Sequence, residues 1–385
     1  MATESLDVRA ASVSGNGKIH RVSSDSGTWV VEFLSEPRTS PQPMWFHVEA
    51  ANTRGRPVRF VWLNADQALG SPKQMENDTP VLRADDGPWL RCTNTEILEN
   101  VYGRRALAFD SDGVGEAVSA ALCYPYSSAD LEETLRETDA PVERRILGVT
   151  GQGRAIPGLR IASPKQGNDA GVYIVARQHA GETPGSWVLD GIIRALAQEQ
   201  AGVEHIDWWI APFVDLDGVE NGDYGKDAAP YDFNRDWDIL PMRPEVVCIS
   251  RDMAAFKERY ASRLMLDLHA PGHGEDGLWV YVPNAQQPAE RREAVQSFAD
   301  SLVGAFPELD AAALTREANY LSRGKANATL CTWAWEQLDR TPCVSLETSY
   351  QTLGGRTLDI AGYREVGNRI VSAILNWFDK RGVRR

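Results

Sequence analysis

The sequence predicts an α/β protein in which a sheet flanked by helices is preceded by an all-β sandwich, and three observations predict it. Short β-branched and aromatic runs separated by turn clusters fill residues 1–125. Apolar strands alternate with helical patterns across residues 126–385. Histidines and glutamates then fall just past the ends of those strands, where α/β sheets build sites.

In the first part, Thr28 to Leu34, Met44 to Ala51 and Pro57 to Leu63 read as strands. Met44, Phe46, Val48 and Ala50 alternate with Trp45, His47, Glu49 and Ala51, a period of two that expects one face on a core. The clusters Ser35-Glu-Pro-Arg-Thr-Ser-Pro-Gln-Pro and Asn52-Thr-Arg-Gly-Arg-Pro supply turns. Further strands are expected near Trp89 to Cys92, Ala106 to Phe109 and Ala117 to Tyr124. A small sandwich is the natural product.

The pattern changes after Tyr124-Pro125-Tyr126, and Ser128 opens an amphipathic helix. Strands are expected at Ala170 to Ala176, Ile206 to Val214, Leu264 to Leu268, Leu278 to Val282 and Cys343 to Leu346. Helices are expected at Pro184 to Gln200, Pro244 to Tyr260, Pro288 to Phe306, Asn327 to Leu338 and Ile360 to Phe378. Strands this short and apolar imply a mixed or parallel sheet covered on both faces. A chain of 385 residues exceeds one ordinary core, so two domains, 1–125 and 126–385, are expected.

Composition narrows the function classes. A hydrophobic content of 43% with 24% charged residues is that of a soluble globular chain, with no apolar run near the roughly 18 residues a membrane span needs. The N-terminus has neither a basic segment nor an apolar stretch, which argues against a secretory leader. A net charge of −14 argues against nucleic acid and anionic membranes as partners. Five scattered cysteines without a CxxC pair argue against a cysteine-based zinc site and fit a reducing, cytoplasmic setting.

Four segments carry chemistry. In Gln178-His179-Ala-Gly-Glu182, the following Thr183-Pro184 reads as a helix N-cap with proline at the first helical position, so His179 and Glu182 occupy a strand-to-helix loop. Alone, the pair is as readily a loop histidine and a first-turn carboxylate favoured by the helix dipole. The segment Asp215 to Trp237 follows a strand and contains Asp232, suited to orient a ligating imidazole. It also holds Asn234 and Arg235, donors suited to a substrate carboxylate; their bland alternative is a surface turn with a structural ion pair. Leu264 to His273 is an apolar strand that carries Asp267 and ends in His269; His269 is preferred as ligand over His273, which lies in a glycine-rich loop. His20, His47 and His205 lack acidic company and read as structural or exposed. Pro342 to Tyr350 places Glu347 at the end of a buried strand, where a charge is costly unless it faces a polar cleft. Two histidines and a glutamate form the ligand set of a catalytic zinc, and a further carboxylate can take a proton from water.

Together these residues resemble the zinc metallocarboxypeptidases, specifically the cytosolic carboxypeptidase-like subgroup. Further phrases carry the resemblance: Asn64-Ala-Asp-Gln with Gly87-Pro-Trp-Leu-Arg91, Cys123-Tyr124-Pro125-Tyr126-Ser-Ser-Ala-Asp130-Leu, and Ile146-Leu-Gly-Val-Thr-Gly-Gln-Gly-Arg. The resemblance implies a mixed eight-stranded sheet between helices, and one Zn2+ ion held by His179, Glu182 and His269. It further implies Asp232 supporting His179, Asn234 and Arg235 gripping the terminal carboxylate of a peptide or protein substrate, and Glu347 as general base. The chain departs from the subgroup twice. The arginine that follows Gly-Asn-Tyr there is Gly225 here, and Lys226 is expected to take its electrophilic role. Cys331 stands where an arginine helps recognise glutamate side chains, with Arg316, Arg323 and Lys325 nearby in sequence. Tyr320 and Tyr350 are the candidates for a substrate-capping tyrosine. The expected activity is removal of a C-terminal residue. The alternatives are a zinc amide hydrolase of small N-acyl amino acids and a non-catalytic peptide-binding homologue.

Overall fold

A computed structural model describes residues 5–70, 72–112, 115–138, 141–163, 169–198, 205–319 and 329–383. Two five-stranded sheets form the N-terminal part. One is built around His47–Ala51 and Ala117–Ala121, the other around Thr28–Leu34, Val58–Trp62 and Arg104–Asp110. The alternation expected over Met44 to Ala51 holds only in part, since Trp45 and His47 are buried along with Met44, Phe46, Val48 and Ala50; Thr28–Leu34 does alternate, with Trp29, Val31 and Phe33 buried. Phe46 lies 5.1 Å from Phe33, 4.8 Å from Trp62 and 6.0 Å from Phe109, so aromatic contacts join the two sheets.

An eight-stranded mixed sheet follows. Its order is Val142–Val149, Ala155–Ile161, Asp207–Ala211, Ala170–Ala176, Ser262–His269, Cys343–Thr348, Leu278–Pro283 and Thr315–Ala318. The four central strands run parallel and are buried on both faces, which explains their continuous apolar sequences. Register places the chemistry: Ala176 pairs with Leu268, and His269 pairs with Glu347. Three chain segments therefore leave the sheet at one edge.

Several expected boundaries shift. The helix expected from Pro184 to Gln200 spans Thr183–Ala197, and its cap position is Glu182, not Thr183. The Glu182 carboxylate makes no capping bond because it is engaged by the two histidines. The strand expected over Met44 to Ala51 spans His47–Ala51, and the last helix spans Ile360–Asp379. Val142–Val149 and Thr315–Ala318 are strands at the two sheet margins that the apolar pattern did not reveal, because their side chains are largely solvated. One apolar cluster runs from Phe33 and Val48 through Tyr124 and Tyr126 to Trp187 and Ile370, so the N-terminal sheets and the α/β part share their core. No helix among the described residues is long and apolar enough to cross a membrane.

Candidate metal centre

Ala170–Ala176 ends in a loop whose first residue, Arg177, adopts φ +58 and is fully buried. Its guanidinium donates to the Ala180 and Tyr126 carbonyls and to Ser186 Oγ. These bonds compact the loop, so His179 and Glu182 meet. Glu182 then bridges two imidazoles: Oε1 lies 2.8 Å from His179 Nδ1, and Oε2 lies 2.8 Å from His269 Nδ1. One ligand atom from each of the three residues lies within 4.8 Å of the others, and all three residues are buried.

The second nitrogen of each ring is also engaged. His179 Nε2 lies 3.1 Å from Asp232 Oδ1, and His269 Nε2 lies 3.0 Å from Asp267 Oδ2. Both Nδ1 atoms thus converge on one point. Burial alone lowers the basicity of His179, but Glu182 and Asp232 outweigh it and raise its pKa to about 9. Burial likewise opposes charge on His269, and Asp267 and Glu182 outweigh it, so its pKa is raised. Burial raises Glu182, and the two imidazoles reverse that and hold it well below the usual carboxylate range. The Glu182 carboxylate thus sits between two Nδ1 atoms, a donor set that would suit a dication once the imidazoles give up their Nδ1 protons.

Glu347 lies beside this cluster, opposite His269 in the neighbouring strand. Its Oε2 is buried without a hydrogen-bond partner. Burial raises its pKa to about 7, against the lowering influence of His269. An unsatisfied buried carboxylate oxygen, two converging imidazoles and a bridging carboxylate fit a zinc ion with a reacting water.

The departure at Gly225 has a steric cause. Gly225 adopts φ +90, and a Cβ there would stand 2.5 Å from the Ala180 nitrogen and 3.1 Å from His179 Cα. An arginine at this position would push into the ligand loop. Lys226 is half-buried, and its ammonium lies in the field of Tyr224, Glu182, Glu347 and Asp232; Tyr224 contributes most to raising its pKa. Arg235 lines a cavity of about 380 Å³ with Trp237 and Trp333, and its Nη1 donates to the Asn234 carbonyl at 2.7 Å. Asn234 is buried; its Oδ1 accepts from the Leu330 N–H, and its Nδ2 lies 3.0 Å from His269 Nε2.

His273 is buried 3.4 Å from Asp78, outside the ligand cluster. His47 is buried and bonded to Ser14, whereas His20 is exposed. Cys331 is buried against Cys343 with their sulfurs 3.0 Å apart. Arg316 bonds to Glu275 and lies over the Trp279 ring. Tyr350 is buried, with its hydroxyl 3.3 Å from the Gly181 carbonyl. Tyr320, Arg323 and Lys325 lie outside the described residues. Sequence reasoning passed over Asp267 as part of the site. The period of two along its strand, which sets it on the same face as His269, was the available signal.

Known proteins resemble this chain in sequence and in fold. The zinc carboxypeptidase family model matches residues 128–352. Cytosolic carboxypeptidase 2 of Danio rerio is 26% identical over 295 residues, covering 67% of this chain and 39% of that protein. Cytosolic carboxypeptidase 6 of Homo sapiens is 32% identical over 221 residues, covering 50% of this chain and 42% of that protein. The chain therefore spans less than half the length of these curated relatives. The metallo-carboxypeptidase from Burkholderia cenocepacia has the same fold, with a TM-score of 0.79 at 20% identity over 98% of this chain and all of that one. The match of the family model to more than half of the chain places it in the zinc carboxypeptidase family.

Proposed function

We propose that the protein is a zinc-dependent carboxypeptidase that removes the C-terminal residue of a peptide or protein. The observation that carries this reading is the convergence of His179 Nδ1, His269 Nδ1 and Glu182 beside the unpartnered oxygen of Glu347. His179, Glu182 and His269 would hold one zinc ion, and Asp232 accepts from His179 Nε2–H, which leaves Nδ1 available as the ligand atom. The chemistry such an ion would supply is a water whose pKa falls toward about 7 and a polarised carbonyl.

The remaining work falls to side chains. Glu347 takes a proton from the attacking water and delivers it to the leaving amine. Burial raises its carboxyl to about 7, and a dication held by the three neighbouring side chains would favour the ionised form a base needs. Lys226 donates to the oxygen that gains charge as the scissile carbonyl becomes tetrahedral. Arg235 grips the terminal carboxylate of the substrate; Asn234, expected to share that grip, has its Oδ1 on the Leu330 N–H and its Nδ2 beside His269 and Asp267. The five free cysteines and the names of the curated relatives favour a cytoplasmic setting.

Turnover on C-terminally varied peptides, set against N-acyl amino acids and amidated peptides, tests the reading. Release of C-terminal residues from free-acid peptides, blocked by C-terminal amidation, is expected. Cleavage confined to small N-acyl amino acids, or none with zinc bound, overturns it.

A further inference from the structure

We infer that Asp267 is a positioning residue for His269, and that Gln178 and Trp237 hold it as an acceptor carboxylate. The inference rests on the zinc reading above and deepens it.

The indole N–H of Trp237 can only donate. It lies 2.7 Å from Gln178 Oε1, which fixes the Gln178 amide with its NH2 group toward Asp267. Gln178 Nε2 then donates to both Asp267 oxygens, at 2.8 and 2.7 Å. Asn234 is oriented in the same manner, because its Oδ1 accepts from the Leu330 N–H. Its Nδ2 therefore faces His269 Nε2 at 3.0 Å and Asp267 Oδ2 at 3.5 Å. Donors reach Asp267 from both amides, so it serves as an acceptor.

Two groups face His269 Nε2 at 3.0 Å, the Asn234 NH2 donor and the Asp267 Oδ2 acceptor; with Nδ1 given to a metal the ring proton would sit on Nε2, and Asp267 is the acceptor placed to take it. The Nδ1 lone pair would then be free for a metal on the Glu182 side, in place of the proton that Nδ1 shares with Glu182 Oε2 at 2.8 Å. All five residues are buried. In such surroundings a carboxylate behind an imidazole fixes its tautomer and strengthens it as a ligand. The two ligating histidines are thus supported differently. Asp232, behind His179, is held by the backbone N–H groups of Asp227 and Asn234, whereas Asp267 is held by side chains that begin at a tryptophan.

Two variants separate positioning from mere structure. Asp267→Asn removes the charge and sets one NH2 group against another. The exchange Asp267→Asn with Gln178→Glu restores donor–acceptor matching but moves the charge one residue away from His269. Zinc dissociation constants by chelator competition and apo-protein melting midpoints are the measurements. Asp267→Asn is expected to weaken zinc binding about 10- to 100-fold. The exchange is expected to recover the apo midpoint while zinc binding stays weakened by about 10-fold or more. Unaltered zinc affinity in Asp267→Asn, or recovery of affinity together with the midpoint in the exchange, overturns the inference. Wild-type protein that takes up no zinc overturns the reading beneath it instead.

Discussion

Glu347 and His269 sit opposite each other in neighbouring parallel strands, so a single register fixes the proposed base beside the proposed ligand. Replacing Glu347 by Gln keeps the side chain's shape and removes its basicity. A loss of kcat on the order of 10²–10⁴ is expected, the usual worth of general acid–base catalysis, with one zinc per chain retained. Metal analysis and single-turnover kinetics check this, and activity close to wild type removes Glu347 from the base role. Lys226 makes a different demand. Its ammonium is surrounded by Tyr224, Glu182, Glu347 and Asp232, a field that keeps it charged. If it meets the developing oxyanion, Lys226→Ala lowers kcat on the order of 10²–10³ while KM moves little. An effect on KM alone assigns Lys226 to ground-state binding.

Among the elements, the helix Thr183–Ala197 carries the ligand loop at its N-terminus and packs along Ile360–Asp379. Glycines set that approach: a Cβ on Gly367 would overlap the Val188 carbonyl, and one on Gly191 would overlap the Arg364 carbonyl. Backbone meets backbone there, so neither side can turn away. Alanine at Gly367 gains about 1 kcal/mol in helix propensity but overpacks the crossing by roughly 1–3 kcal/mol or more. A net destabilisation is expected, read as a lower urea midpoint with an unchanged slope, and a raised midpoint contradicts the packing argument. These elements also show what the sequence made legible. Ala170–Ala176 and Ser262–His269 were visible because strands covered on both faces are continuously apolar. The candidate ligands were visible because His269 ends one of those strands and His179 and Glu182 follow the other. Val142–Val149 was not, since a margin strand with Glu143, Arg144 and Arg145 has no apolar stripe to detect. Nor was the support of His269, because the Trp237–Gln178–Asp267 contacts join residues up to 89 apart and only folding brings them together.

For the molecule as a whole, the N-terminal sheets do more than cover a face. Asn16 Nδ2 donates to the Gly222 carbonyl at 2.9 Å, the Thr39 N–H donates to Asp223 at 3.0 Å, and Ser40 Oγ donates to the Lys226 carbonyl. The loop that presents Tyr224 and Lys226 is therefore held from the N-terminal part. His47 lies at this seam, with Nδ1 3.0 Å from Ser14 Oγ, and the Ser14 N–H donates to the Glu220 carbonyl. Burial, assisted by Arg83, lowers the His47 pKa to about 3 from an ordinary 6.5. The folded protein thus keeps the imidazole neutral while the unfolded chain protonates it. Stability from this group is present above about pH 6.5 and is lost as pH falls toward 3, by about 1.4 kcal/mol per pH unit inside that window. His47→Gln removes that one proton from the linkage. The variant's stability is expected to fall less steeply between pH 6 and about 4 than the wild type's, by up to that slope, in urea titrations at matched ionic strength. Parallel pH profiles for the two proteins would mean that His47 already takes up its proton in the folded state, and that the seam carries no acid sensitivity through it.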